Sequence, residues 1–122
     1  MSAEFQHINL TYLEQMTEGD RALERDMLNV LVKELQTEIP KMRGLQAAAR
    51  WKELAEVSHR LKTSLNYAGN APLSNVNADI EAIASQGSGG ERLPALLAEL
   101  EAAIPAIVAE LQAAIGRLPG EG

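Results

Sequence analysis

Apolar residues recur through this chain at intervals of three and four, over segments much longer than a typical strand, and that pattern constrains its fold more than any other feature. Residues so spaced share one face of an α-helix, whereas a half-buried strand requires alternation. Leu23, Met27, Val30, Leu31, Leu35, Ile39 and Met42 form one such series. Leu54, Val57, Leu61, Leu65 and Ala68 form a second, and Leu73, Val76, Ile80 and Ile83 a third. Leu97, Leu100, Ile104, Ile107, Val108, Leu111 and Ile115 form a fourth. A short set, Leu10, Leu13 and Met16, precedes them. No segment reads as a strand, and no stretch of the chain repeats.

Caps and breakers divide the pattern into five helices. Asn9 is placed to cap the first, over about residues 10–18, with Gly19 as its stop. The second follows Asp20 and runs to about Gly44, with Pro40 expected to kink it or end its regular part. The third spans about Arg50 to Ala68 and stops at Gly69, which is read as structural. The fourth begins near Pro72, a residue suited to a first helical turn. Ser85 to Gly90 reads as a flexible connection; with no lysine after it and no strand before it, it is not a phosphate-binding loop. The fifth runs from Leu93-Pro94 to about Gly116, and Pro105 should kink or break it. Short connections make neighbouring helices antiparallel. The expected fold is all-α: an antiparallel up-and-down four-helix bundle over about residues 20–116, covered by the short helix at about 10–18, with a loose tail over 117–122. The whole chain, 1–122, reads as one domain.

Composition narrows the function classes. Apolar residues make up 46% of the chain, enough for a packed core, and alanine and leucine supply most of them. The net charge of −6 argues against a general nucleic-acid binder. With no cysteine there is no disulfide, thiolate metal site or thiol nucleophile. No apolar run approaches a membrane span and no signal peptide opens the sequence, so the cytoplasm is the default compartment.

His59 breaks the packing pattern of its own helix. At 100° per residue it lies about 200° from both Val57 and Leu61, opposite the apolar stripe. Lys52, Ala55, Glu56, Lys62, Thr63 and Asn66 share that outer face. Lys62, three residues on, is close enough to share a ligand with His59. A neutral imidazole is a nucleophile near pH 7, and an adjacent ammonium can neutralise phosphoryl oxygens. Histidine and lysine at helical spacing are common on surfaces, so this pair alone does not define a site.

The wider pattern is more specific. His59-Arg60-Leu61-Lys62, followed by Gly69, Leu73 and Glu81, resembles the signature of histidine phosphotransfer (HPt) domains. Leu31 to Met42, with Glu38-Ile39-Pro40 near its end, is similar to the second helix of that family, and Trp51-Lys52-Glu53-Leu54 leads into the histidine as the family pattern does. The resemblance covers about Leu10 to Ala84 and departs in one place, because many members carry glycine where this chain has Thr63. Glycine there leaves room for a partner. Thr63 lies about 40° from His59 and narrows that room.

The resemblance implies that His59 takes a phosphoryl group from the aspartate of a receiver domain and passes it to another receiver. Lys62 would stabilise phosphoryl charge, the Thr63 hydroxyl could donate to the phosphoryl group, and Ser64 could help place the ring or simply bond back to its own helix. Attack through Nε2 requires a partner for Nδ1, for which Glu81 is the candidate. Lys52, Ala55, Arg60 and Asn66 would face the partner. This chain would bind no cofactor or metal of its own; Mg²⁺ is expected in the receiver. The family expectation is a monomer that touches neither nucleic acid nor membrane.

Other readings fit less well. No ATP-binding motif is present, so the chain should not phosphorylate itself. The dimerisation domain of histidine kinases also presents a helical histidine, but with an acidic residue directly after it, where this chain has Arg60. A non-catalytic helical adaptor that binds receivers without accepting phosphate is the alternative. His7 has no ligand spacing to His59 and reads as a bystander.

Overall fold

The computed structural model describes residues 5–87 and 90–118. Five α-helices form: α1 (Thr11–Thr17), α2 (Arg21–Ala47), α3 (Trp51–Ala68), α4 (Ala71–Gln86) and α5 (Leu93–Arg117), with a 3₁₀ turn at Gly90–Arg92 leading into α5. No strand occurs among the described residues. No helix among them is long and apolar enough to cross a membrane.

The helix ends follow from local chemistry. Asp20 caps α2 by accepting the Leu23 amide at 3.0 Å, and Asn70 caps α4 by accepting the Leu73 amide at 3.1 Å. Asn9 also accepts an amide, that of Thr11 at 3.0 Å, but from one residue outside the cap position, which Leu10 occupies. Gly69 ends α3 in the left-handed conformation, φ 73°. A second constraint acts there: a Cβ on Gly69 would stand 2.0 Å from the Asn9 carbonyl oxygen, because the Asn9 amide donates to the Ala68 carbonyl at 2.8 Å. Only glycine satisfies both.

The four long helices pack in a ring, α2 on α3, α3 on α4, α4 on α5 and α5 back on α2, with α1 lying against α2 and α3. Cross-helix bonds give the directions. Glu34 meets Ser64 while Glu38 meets Arg60, and His59 meets Glu81 while Asn66 meets Ser74. In both pairs of helices one number rises as the other falls, so the neighbours are antiparallel. Leu28, Leu35, Met42, Leu54, Leu61, Leu65, Ile80, Leu97, Leu100 and Leu111 are fully buried between them. Truncating one of these to alanine costs about 3 kcal/mol. Arg43 and Glu101 tie α2 to α5 at 2.6 Å, and this bond raises the guanidinium pKa and lowers that of the carboxyl.

Several expectations need correction. Leu23 and Val30 are exposed and Met27 is half-buried, whereas Leu28 and Val32 are buried. Measured around α2 from Leu35, Val30 lies about 140° and Leu23 about 120° away, so α2 carries two apolar stripes and only one faces the core. In α1, Met16 is exposed and Thr17 is buried in its place, its hydroxyl donating to the Leu13 carbonyl at 3.1 Å. Neither proline ends its helix. Pro40 and Pro105 are exposed, where water can satisfy the carbonyls they leave free, and α2 continues past Gly44 to Ala47. Ser85 and Gln86 belong to α4 and Arg117 to α5, rather than to a connection and a tail. Ser88, Gly89 and positions 119–122 lie outside the described residues.

Candidate functional site

The site forms on the outer face of α3 where α4 packs beside it. His59 is directed to solvent with 68% of its side chain exposed, while Leu54, Val57, Leu61 and Leu65 hold the opposite face of the helix in the core. Its Nδ1 lies 2.8 Å from Oε2 of Glu81 on α4. With that carboxylate ionised, Nδ1 carries the proton and donates it, which leaves Nε2 as the nitrogen with a free lone pair. Among the described residues Nε2 has no hydrogen-bond partner.

An open depression of about 740 Å³ surrounds the ring, lined by Lys52, Ala55, Glu56, His59, Arg60, Glu81, Ala84 and Ser85. Of the sequence candidates, the structure therefore gathers Lys52, Ala55, Arg60 and Glu81 around His59. Lys62 is exposed one turn further along α3, outside this lining. Among the described residues neither Lys52 nor Lys62 has an ion-pair partner, so both ammonium groups are uncommitted. Arg60 is partly committed, reaching Glu38 on α2 at 3.5 Å. The Glu38 carboxyl is held below the usual range, chiefly by its hydrogen bond from Lys41 and less by Arg60, against the opposing effect of burial. Asn66 is exposed, and its side-chain oxygen makes a long contact of 3.5 Å with the Ser74 hydroxyl.

Two hydroxyl candidates fall elsewhere. Ser64 is buried, and its hydroxyl donates to Glu34 on α2. Five residues from His59, it lies about 140° around the helix and faces α2 instead of the ring. It is not a ring-orienting residue. Thr63 stays exposed but lines a second, mainly apolar groove of about 330 Å³ with Met27, Val30, Leu31 and Tyr67. Gly69 acts at the end of α3, away from the depression.

A buried polar pair that the sequence motifs do not include joins α3 to α4 beside the site. Ser58 is 0% and Asn77 is 1% exposed. The Ser58 hydroxyl donates toward the Asn77 carbonyl (2.9 Å) and its side-chain oxygen (2.7 Å), and Asn77 Nδ2 donates to the Ser58 carbonyl at 2.9 Å. The signal was present: Asn77 is spaced with Leu73, Ile80 and Ala84 on the inward face of α4, a position where a polar residue needs a dedicated partner.

His7 was also underestimated. Its Nδ1 lies 2.8 Å from Glu110 on α5, and the same carboxylate accepts the amides of Gln6, His7 and Ile8. This fastens the N-terminal arm across the bundle. No cluster of three metal-binding side chains occurs among the described residues.

The family model of the Hpt domain matches residues 26–115. The match spans most of the chain, which therefore belongs to the Hpt domain family, whose domains serve phosphotransfer in two-component signalling and interact with receiver domains. No curated protein and no solved structure matches the chain.

Proposed function

We propose that this protein is a phosphoryl carrier of a two-component phosphorelay, accepting the group on Nε2 of His59 from a receiver aspartate and delivering it to another receiver. The observation that carries this reading is the exposed imidazole held at Nδ1 by Glu81, with Nε2 free above an open, cation-edged depression.

In the forward step the Nε2 lone pair attacks phosphorus, a P–N bond forms, and the P–O bond to the aspartate breaks with release of its carboxylate. The ring becomes positively charged, and the Glu81 carboxylate faces that charge through Nδ1–H. The reverse sequence delivers the group to the second receiver. Such transfers depend on positioning and charge stabilisation more than on covalent chemistry by the protein. Lys62 and Lys52 supply cationic charge beside the transferred group, and the receiver would contribute its own Mg²⁺. Arg60, Ala55, Asn66 and Thr63 border the surface that meets the receiver, and such a transient complex needs only a modest interface. The reading assigns the protein to the cytoplasm as a monomer.

The test uses a phosphorylated receiver from the same source, mixed with the wild-type protein and with His59→Gln, following acid-labile, base-stable phosphate. Transfer to the wild type alone is expected, and Lys62→Ala should slow it by about tenfold. Receivers that bind the wild type yet never label it would make the protein an adaptor and His59 a contact residue.

A further inference from the structure

The buried Ser58–Asn77 pair sits one residue before His59 and one helical turn before Glu81. The carbonyls it uses are informative. In an α-helix the carbonyl of residue 58 accepts the amide of residue 62, and that of residue 77 accepts the amide of residue 81. The pair therefore clamps the peptide group that joins Ser58 to His59 against the one whose carbonyl accepts the Glu81 amide. The other buried side chains of these two helices are mainly apolar, Leu54, Val57, Leu61, Leu73, Ile80 and Ile83 among them, and apolar attraction has no direction and tolerates small sliding. The His59–Glu81 bond at 2.8 Å has a preferred length and direction, so sliding of α4 along α3 stretches and bends it.

Resting on the phosphocarrier reading of His59, we propose that Ser58 and Asn77 are positioning residues for that histidine. Their reciprocal bonds fix the register of α4 on α3 so that Glu81 meets Nδ1 and Nε2 stays free to react. Burying a hydroxyl and an amide is costly unless both are satisfied, and here both are. An apolar pair of similar size would fill the same space without that constraint. Stability alone does not require the polar pair; a fixed register does.

The test separates these roles. Ser58→Ala combined with Asn77→Leu removes the clamp while keeping the volume, and Ser58→Ala alone retains the Asn77 Nδ2 bond should the double variant not fold. Three quantities are measured: thermal unfolding, the ¹⁵N shifts of the His59 ring, and transfer from a phosphorylated receiver. The double variant should unfold at a temperature close to the wild type. Its ring should lose the single Nδ1–H tautomer, and kcat for transfer should fall about tenfold with KM for the receiver unchanged. Ser58→Ala alone should show smaller changes in the same direction. A folded variant with wild-type ring shifts and wild-type kcat overturns the proposal. If the wild type accepts no phosphate the carrier reading fails, while the ring shifts still decide whether the clamp sets the histidine.

Discussion

Two histidine–carboxylate pairs in this molecule share one geometry and differ in everything around it. His59 meets Glu81, and His7 meets Glu110, each with Nδ1 2.8 Å from a carboxylate oxygen. Glu110 also accepts three backbone amides, so its oxygens are committed to holding the arm, and the His7 carbonyl is bonded to Asn70 at 2.9 Å. Among the described residues Glu81 accepts the ring alone, at the edge of an open depression with uncommitted lysines nearby. The pair itself does not define a site. What defines it is the open depression around the ring, with uncommitted lysines at and near its edge; the other pair is a strap.

The sharpest way to break this contrast is to exchange the histidines for glutamine one at a time. His59→Gln should abolish phosphoryl acceptance in the receiver assay, whereas His7→Gln should leave its rate unchanged. Gly69→Ala strikes the strap end, where a Cβ collides with Asn9 and the backbone is left-handed. It should lower unfolding stability by about 3 kcal/mol in urea titration, with transfer retained by the folded fraction. The carboxylates should divide in the same way. Glu110→Ala should cost about 1.5 kcal/mol of stability and spare transfer. Glu81→Ala should slow transfer about tenfold and barely move stability.

The smallest effect is a pH dependence. Burial pushes the Glu110 carboxyl up, but the bonds from the His7 ring and from the His7 and Gln6 amides outweigh it and hold the pKa below the ordinary 4.5. A carboxyl lowered on folding contributes stability that is complete above the unfolded value and is lost as pH falls through the folded one. Stability should therefore decline below about pH 4.5, and Glu110→Gln should flatten that part of the profile in acid unfolding experiments.

The helices and the histidine were legible because each is written in one-dimensional spacing. Asp20, the left-handed stop at Gly69 and the α3 stripe act within their own segment, and the structure keeps them as read, whereas the approach of Asn9 to Gly69 is a contact between segments. The α2 core face was misassigned because two apolar stripes have helical spacing, and only the positions of α3 and α5 choose between them. Pro40 and Pro105 carry the expectation of a kink or of an end to the helix; the end does not occur, and the sequence does not say that both face water. Ser64 was placed with the site on proximity in sequence, although the angle around α3 sends it to Glu34. Spacing places Asn77 on the inward face of α4, but its partner Ser58, like the bond of His7 to Glu110, depends on contacts between segments, which spacing within one segment cannot express.

The central claim is that His59 carries the phosphoryl group on Nε2 while Glu81 holds Nδ1. The most direct measurement is ³¹P–¹⁵N NMR of the ¹⁵N-labelled protein after phosphorylation by its receiver. Phosphorus coupled to Nε2 of His59, with His7 unmodified, is the result expected. Phosphorus on Nδ1 of His59, or on His7, would contradict the account.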